Sequence, residues 1–324
     1  MRGADRDDGH VVVFAPAPVL TITIEPGTDR PEVHLHAGGQ GFWVAHLAAT
    51  LGAGVTLCCA LGGEPGLVLR GLIESADRMT LRAVESATPN GVYIHDRRGG
   101  SREEVVNVES RELGRHTADE LYGVALGAGL DADLTLITGC QPFDVVPADL
   151  YRRLVSDLRA NGKRVIADVT GPSLRATLEG GTDLLRISDS EAVEEGYAGD
   201  TAAPSLVRAA RALLGSGAAN VLLSRASEPA ILVSREARPQ LIELAGPVFE
   251  ALDHTGTGDS MFAATGVGLA RGMEMLEALR LGMAAGALNA TRRGLGTGTR
   301  QEIEQLAAHV RTRPLDAREG ELAG

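Results

Sequence analysis

The sequence predicts an α/β fold, a mostly parallel sheet with helices on both faces and a smaller sheet beside it. Three observations carry this. From residue 133 onward, short apolar runs alternate with helix-patterned segments, the mark of a covered parallel sheet. Residues 91–110, GVYIHDRRGGSREEVVNVES, differ: two half-polar strand-like runs flank a turn cluster, which suits a sheet with one side toward solvent or a ligand. At 253–259 a glycine-rich loop runs straight into a helix of small and apolar residues.

Element by element, 1–9 is a polar tail and VVVFAP (11–16) a buried strand. LTITIE (20–25) and EVHLHA (32–37) are alternating strands separated by the turn-rich PGTDRP. AGGQGFWVAH (37–46) puts three glycines ahead of a bulky pair, and the helical spacing that follows ends at Gly52. VTLCCALGG (55–63) is a second buried strand. Strands then fall at 133–139, 163–169, 182–188, 219–224 and 230–235, with helices near 144–161, 189–195 and 204–216. Helical patterns at 257–272, 274–292 and 300–312 close the chain. In such sheets ligands bind at the carboxyl ends of strands, where strand order reverses. Gly62, Gly63, Gly139, Asp168, Ser188 and Ser224 stand at those ends.

Composition narrows the function. With 44% apolar and 23% charged residues the chain can build a large core, and its 41 glycines point to tight backbone turns. A net charge of −12 argues against nucleic-acid or anionic-membrane partners, which need a basic face. Cys58, Cys59 and Cys140 have neither disulfide nor zinc spacing and read as core residues in a reducing cytoplasm. The amino terminus lacks a signal-peptide pattern, and no apolar run reaches the ~18 residues of a membrane span. The expectation is a soluble cytoplasmic protein.

The chemistry concentrates in ALDHTGTGDSMFAATGVGLARG, residues 251–272. A glycine loop feeding a helix presents unpaired N–H groups and the positive end of the dipole, which bind an anion. The loop is neither a Walker loop, which needs a Lys, nor a Rossmann fingerprint, which needs a third glycine. Asp259 inside an anion site suits a base that takes a proton from a hydroxyl attacking a phosphoryl group. It also suits an ordinary first helical turn.

The surrounding pattern adds to this. DHTGTGD resembles the D-T-x-G-A-G-D signature of the ribokinase-like (PfkB) carbohydrate kinases, and GGQG resembles their G-G-x-G sugar-side motif. The likeness covers nearly the whole chain and is nearest the 1-phosphofructokinase and tagatose-6-phosphate kinase branch. It implies a three-layer α/β/α core (10–19, 37–87 and 113–312), a small β-sheet lid (20–36 and 88–112) and flexible tails at 1–9 and 313–324. Gly38 and Gly39 become the lid hinge. By the resemblance Asp259 is the catalytic base, and the amides of Gly256, Thr257 and Gly258 hold the transferring phosphoryl. Asp253 matches a residue tied to a monovalent cation such as K⁺, and Glu191 one that orders Mg²⁺ through water. Ser188, Ser224, Arg225, Gly256, Gly258 and Asn289 fall on the ATP side.

The chain also departs from that pattern. Ser188 replaces the Asn of N-x-x-E. The nucleotide loop S/T-x-G-x-x-G reads Ser224-Arg225-Ala226-Ser227-Glu228-Pro229, without its glycines. Arg225 offers a direct phosphate contact and is equally an ordinary loop arginine. On the sugar side, Val19 replaces the Asp of N-P-A-x-D, Gln40 a Lys, and Trp43 an Asn. Gln40, Phe42 and Trp43 fit a flatter or less polar ligand, with Trp43 expected to face the cleft. Arg97, Arg98 and Arg102 could meet an acidic substrate, although a run like DRRGGSRE is turn chemistry first, a solvated hairpin tip. The expected activity is ATP-dependent phosphorylation of a hydroxyl on a sugar, sugar phosphate or sugar-like molecule. A non-catalytic ligand binder of the same fold is the rival reading. The lid's outer face is a candidate surface for a homodimer.

Overall fold

The computed structural model describes residues 8–226, 228–235, 240–247, 249, 255–291 and 298–315. Along the chain, β1 (His10–Phe14) leads into β2 (Val19–Glu25) and β3 (Glu32–Gly38), then α1 (Gln40–Thr50), β4 (Gly54–Gly62), α2 (Gly63–Glu74) and β5 (Met79–Ser86). A hairpin, β6 (Val92–Asp96) and β7 (Glu103–Val108), precedes α3 (Arg115–Asp131). Next come β8 (Leu134–Thr138), α4 (Ala148–Ala160), β9 (Arg164–Asp168), α5 (Gly171–Gly180) and β10 (Leu184–Ser188). They are followed by α6 (Asp189–Glu194), α7 (Ala203–Ser216), β11 (Asn220–Ser224), β12 (Ala230–Ser234) and β13 (Leu241–Ala245). Three helices, α8 (Thr257–Ala270), α9 (Met275–Ala290) and α10 (Arg300–Ala307), lead to β14 (Arg311–Pro314).

Ten strands form the main sheet in the order β14-β13-β12-β11-β10-β9-β8-β1-β4-β5. It is parallel from β11 to β5 and antiparallel from β11 to β14. Buried on both faces, its strands read as continuous apolar runs such as VVVF. Alternation along β1 sends Val11 and Val13 into one core and Val12 and Phe14 into the other. The first core is closed by α1, α8 and α9, the second by α3, α4, α5 and α7. Strand order reverses at β1, with β4 on one side and β8 on the other, so their carboxyl ends open a crevice.

The second sheet, β3-β2-β6-β7, has two unlike faces. Its register aligns Thr21, His36 and Tyr93, then Thr23, His34 and His95. The opposite face aligns Ile22, Leu35 and Ile94, then Ile24 and Val33.

The helix expected over 300–312 ends at Ala307, and residues 311–314 form β14, paired antiparallel with β13. Beyond Ile303 and Leu306 the helical spacing gives way to Arg-Thr-Arg-Pro, whose proline ring cannot continue a helix. Two stretches expected to be tails are ordered in part. Asp8 pairs with Arg78 and Arg300, and residues 313–314 lie inside β14. Cys58 and Cys59 are buried in the core. No described helix is long and apolar enough to cross a membrane.

Candidate active site

A cavity of about 360 Å³ lies at the crevice where strand order reverses, between Ala15 after β1 and Gly139 after β8. Asp168, Glu191 and Asp259 are among its lining residues. So are Ala15, Ala17, Pro18, Val19 and Phe42.

From α8 the residue that lines the cavity is Asp259, in its first turn. Gly256 is the N-cap of α8 at φ 74°, a left-handed conformation that glycine adopts without strain, and no side chain caps the helix. The first intrahelical bond runs from the Ser260 N–H to the Gly256 carbonyl at 2.9 Å, so the preceding amides lack helical partners. Thr257 Oγ1 and Ser260 Oγ are buried there without a hydrogen-bond partner. Loop and hydroxyls together fit a bound anion. Asp253 lies outside the described residues. Asn289, expected on the nucleotide, is fully buried, and its amide donates to the Thr255 carbonyl at 2.9 Å. It braces the loop ahead of α8 from within.

Asp259 sits in the first turn of α8. Loss of water, then the neighbouring Asp168, push its carboxyl up to about 7, while Arg186 and the Gln40 amide pull it down. Burial likewise pushes Asp168 up to about 6 against the pull of Arg186. A carboxyl poised near neutrality suits a general base.

Arg186, which the sequence reading passed over, ties these groups together. Its Nη1 lies 3.2 Å from Asp168 Oδ2 and 3.6 Å from Glu191 Oε2, and its Nη2 donates to Ser224 Oγ at 2.6 Å. A Cβ on Gly258 would stand 2.5 Å from Nη2, so only glycine lets the loop pass so close. Burial opposes the guanidinium charge, but Asp168, Glu191 and Asp259 outweigh it and raise its pKa. The available signal was a lone cation in an otherwise apolar strand, LLRIS.

Glu191 belongs to a capping box. Its Oε2 accepts from both the N–H and Oγ of Ser188 at 2.7 Å, and its own N–H returns a bond to Ser188 Oγ. Ser188 thus orients Glu191 toward the cavity. Arg225 reaches the Pro229 carbonyl at 3.5 Å, and its Nε is buried without a partner.

The opening of α1 explains AGGQGFWVAH. Gly38 ends β3, and Gly39 follows at φ 88° as the N-cap of α1. A Cβ on Gly41 would lie 2.2 Å from Ala15 Cβ, so this glycine lets α1 meet β1. Gln40 lines the cavity, yet both ends of its amide are engaged: Oε1 accepts from Gly139 N–H at 3.0 Å, and Nε2 donates to the Asp168 carbonyl at 3.3 Å. Phe42, not Trp43, faces the cavity, correcting the expectation for Trp43. Adjacent helical positions point about 100° apart, and Trp43 packs against the core beside Phe42 and His46. Arg97 stands on the second sheet, apart from the cavity wall, with Nε buried and unpartnered. Arg98 is held by Asp96, and Arg102 lies over the Tyr93 ring at 4.8 Å.

Residues 14–302 match the family described as pfkB family carbohydrate kinase. ATP-dependent 6-phosphofructokinase isozyme 2 of Mycobacterium tuberculosis is 26% identical over 311 residues, covering 93% of this chain and 90% of that protein. 1-Phosphofructokinase of Rhodobacter capsulatus is 28% identical over 282 residues, covering 82% and 84%. Among solved structures, phosphofructokinase-2 from Escherichia coli in complex with potassium superimposes with a TM-score of 0.79 at 23% identity, covering 93% of this chain and 99% of that one. Ribokinase from Arabidopsis thaliana complexed with ribose and ATP gives 0.72 at 20% identity, covering 92% and 98%.

Proposed function

The chain belongs to the pfkB family of carbohydrate kinases, ATP-dependent phosphotransferases with an alcohol as acceptor, and from that premise we propose that Asp259 is the base of the transfer. Its carboxylate takes the proton of the acceptor hydroxyl as that oxygen bonds to the transferring phosphorus of ATP and the bond to the leaving ADP oxygen breaks. The amides of Gly256, Thr257 and Gly258 face the phosphoryl oxygens, where fixed N–H dipoles stabilise charge gathered in the transition state. The observation that carries this is a carboxyl at about 7 in the first turn of an uncapped helix, at the edge of a cavity.

Glu191 is the residue we assign to Mg²⁺, through water. Among the described residues no three His, Cys, Asp or Glu side chains form a metal cage. That fits Mg²⁺, which keeps most of its waters and binds through one or two carboxylates and substrate phosphates. When bound, the ion neutralises charge on the phosphates. Ser224 and Arg225 border the nucleotide side. A K⁺ dependence through Asp253 is part of the same reading, tested by comparing activity in KCl and NaCl.

Gly38 and Gly39 join the second sheet to α1 as a hinge, and its closure would exclude water from the cavity. Around it we divide the chain into a core and a lid, the lid taking 20–36 and 88–112. The lid's apolar outer face pairs with a second copy of the chain. We place the enzyme in the cytoplasm, where ATP is available and the buried Cys58 and Cys59 stay reduced.

ADP release from Mg-ATP across a panel of alcohols and sugar phosphates tests the base. Asp259→Asn should lower kcat by about 10²–10⁴-fold with KM little changed. Equal turnover by the variant would remove Asp259 from that role.

A further inference from the structure

The kinase reading leaves the acceptor's chemistry open, and the cavity's lining bears on it. Part of its wall is apolar: Ala15, Ala17, Pro18, Val19 and Phe42 offer no side-chain donor or acceptor. Of the polar side chains that line the cavity, Gln141 and Thr170 lie just past β8 and β9, and three others are engaged. Gln40 is bound at both ends by Gly139 and Asp168. Cys140 lies 3.8 Å from the Tyr151 hydroxyl. Asp168 is held by Arg186.

A polyhydroxylated sugar seated with one hydroxyl at Asp259 would press its neighbouring hydroxyls against carbon. Enclosing a hydroxyl without a partner is unfavourable, whereas enclosing CH₂ or an aromatic face there is favourable. Polar groups resume beyond this wall. The face of β2 that Val19 shares continues through Thr21 and Thr23, which align with His36, Tyr93 and His95. His95 Nδ1 and Arg97 Nε are buried in this sheet without partners.

We propose, building on the kinase reading of this cavity, that the acceptor carries its reacting hydroxyl on an apolar or aromatic body. Its class is a deoxygenated sugar or sugar-like alcohol whose polar groups lie at the far end, against the second sheet. Val19 and Phe42 set this preference.

Binding can be read without transfer. Trp43 is the chain's only Trp, and its ring lies 5.3 Å from that of Phe42, so its fluorescence reports occupancy. The probes are uridine against 2′,3′-dideoxyuridine, ribose against 2-deoxyribose, and fructose 6-phosphate. The deoxygenated member of each pair should bind at least 10-fold more tightly than its partner, and fructose 6-phosphate most weakly. Val19→Asp should reverse the order, and Val19→Asn, which adds hydrogen bonding without charge, should narrow it if the Asp variant folds poorly. The proposal is overturned if the hydroxylated members bind as tightly as the deoxygenated ones, or if no deoxygenated probe binds. The intact binding order without any ADP release would instead sink the kinase reading alone.

Discussion

At Asp259, desolvation and the helix terminus pull in opposite directions. Water exclusion disfavours the carboxylate, and the amino end of α8 favours it. With the carboxyl raised to about 7, the base is increasingly protonated below that pH. We expect kcat to fall as pH drops through 7, and Asp259→Asn to be low and flat across the same range. The stability effect has a defined sign. A carboxyl raised from 3.8 burdens the fold progressively as pH rises above 3.8, and in full above about 7. Asp259→Asn should therefore raise Tm at pH 8, with the gain fading toward pH 4; equal gains at both would contradict the shift. Arg186 is the second decisive residue. Removing it strands the buried carboxyl of Asp168, so Arg186→Met should cost about 3–5 kcal/mol in urea unfolding, and Arg186→Lys less. A loss below about 1 kcal/mol would mean that the carboxylates do not need this cation. The sequence exposed Asp259 through its glycine loop. It hid Arg186, because its partners Asp168, Ser224 and Asp259 come from β9, β11 and α8, far apart along the chain.

Among the elements, α1 shows how far periodicity reaches. The sequence placed a helix after the glycines, and the structure starts α1 at Gln40. What periodicity could not fix was the phase at the helix's first turn, which turns Phe42 inward to the cavity and Trp43 aside. The phase is set by Gly41 lying against Ala15, a tertiary contact. Other elements escaped notice for a related reason. In α3, Gly123, Gly127 and Gly129 weaken helix propensity, and the helix forms because it packs across the second core. The strand after α10 needs β13 beside it, and a short polar run such as Arg-Thr-Arg-Pro announces nothing alone. The strands of the parallel sheet were legible because burial on both faces leaves continuous apolar runs. At the proposed hinge, Gly39 has φ 88° and ψ 152°, a region essentially closed to other residues. Gly39→Ala should lose about 1–3 kcal/mol of stability in urea melts. It should also raise KM for the acceptor, since the same backbone links the second sheet to α1. An unchanged melt would show that the turn relaxes freely.

On the scale of the whole molecule, charge and apolar surface govern what the protein meets. A net charge of −12 disfavours polyanions, so under the proposed function phosphate binding would depend on the local amides and Arg side chains of one site. The apolar surface lies elsewhere. On the face of the second sheet opposite Thr21 and His36, Ile22 and Val92 pack against the core. Farther out, Val33 is 57% exposed, Leu35 43%, Val106 41% and Val108 49%. Strand register places all four on that one face, Val106 opposite Ile94 and Val108 opposite Val92. A contiguous apolar face on a four-stranded sheet is unfavourable in water, and under the proposed pairing a second copy of the same face would cover it by twofold symmetry. Light scattering on a sizing column should therefore give twice the chain mass. Leu35→Asp would place a charge within this patch and should yield the single-chain mass without loss of helical circular dichroism. Because the substitution points away from the cavity, ligand-induced changes in Trp43 fluorescence should survive it. A wild-type monomer, or a Leu35→Asp dimer, would leave this face uncovered and refute the pairing.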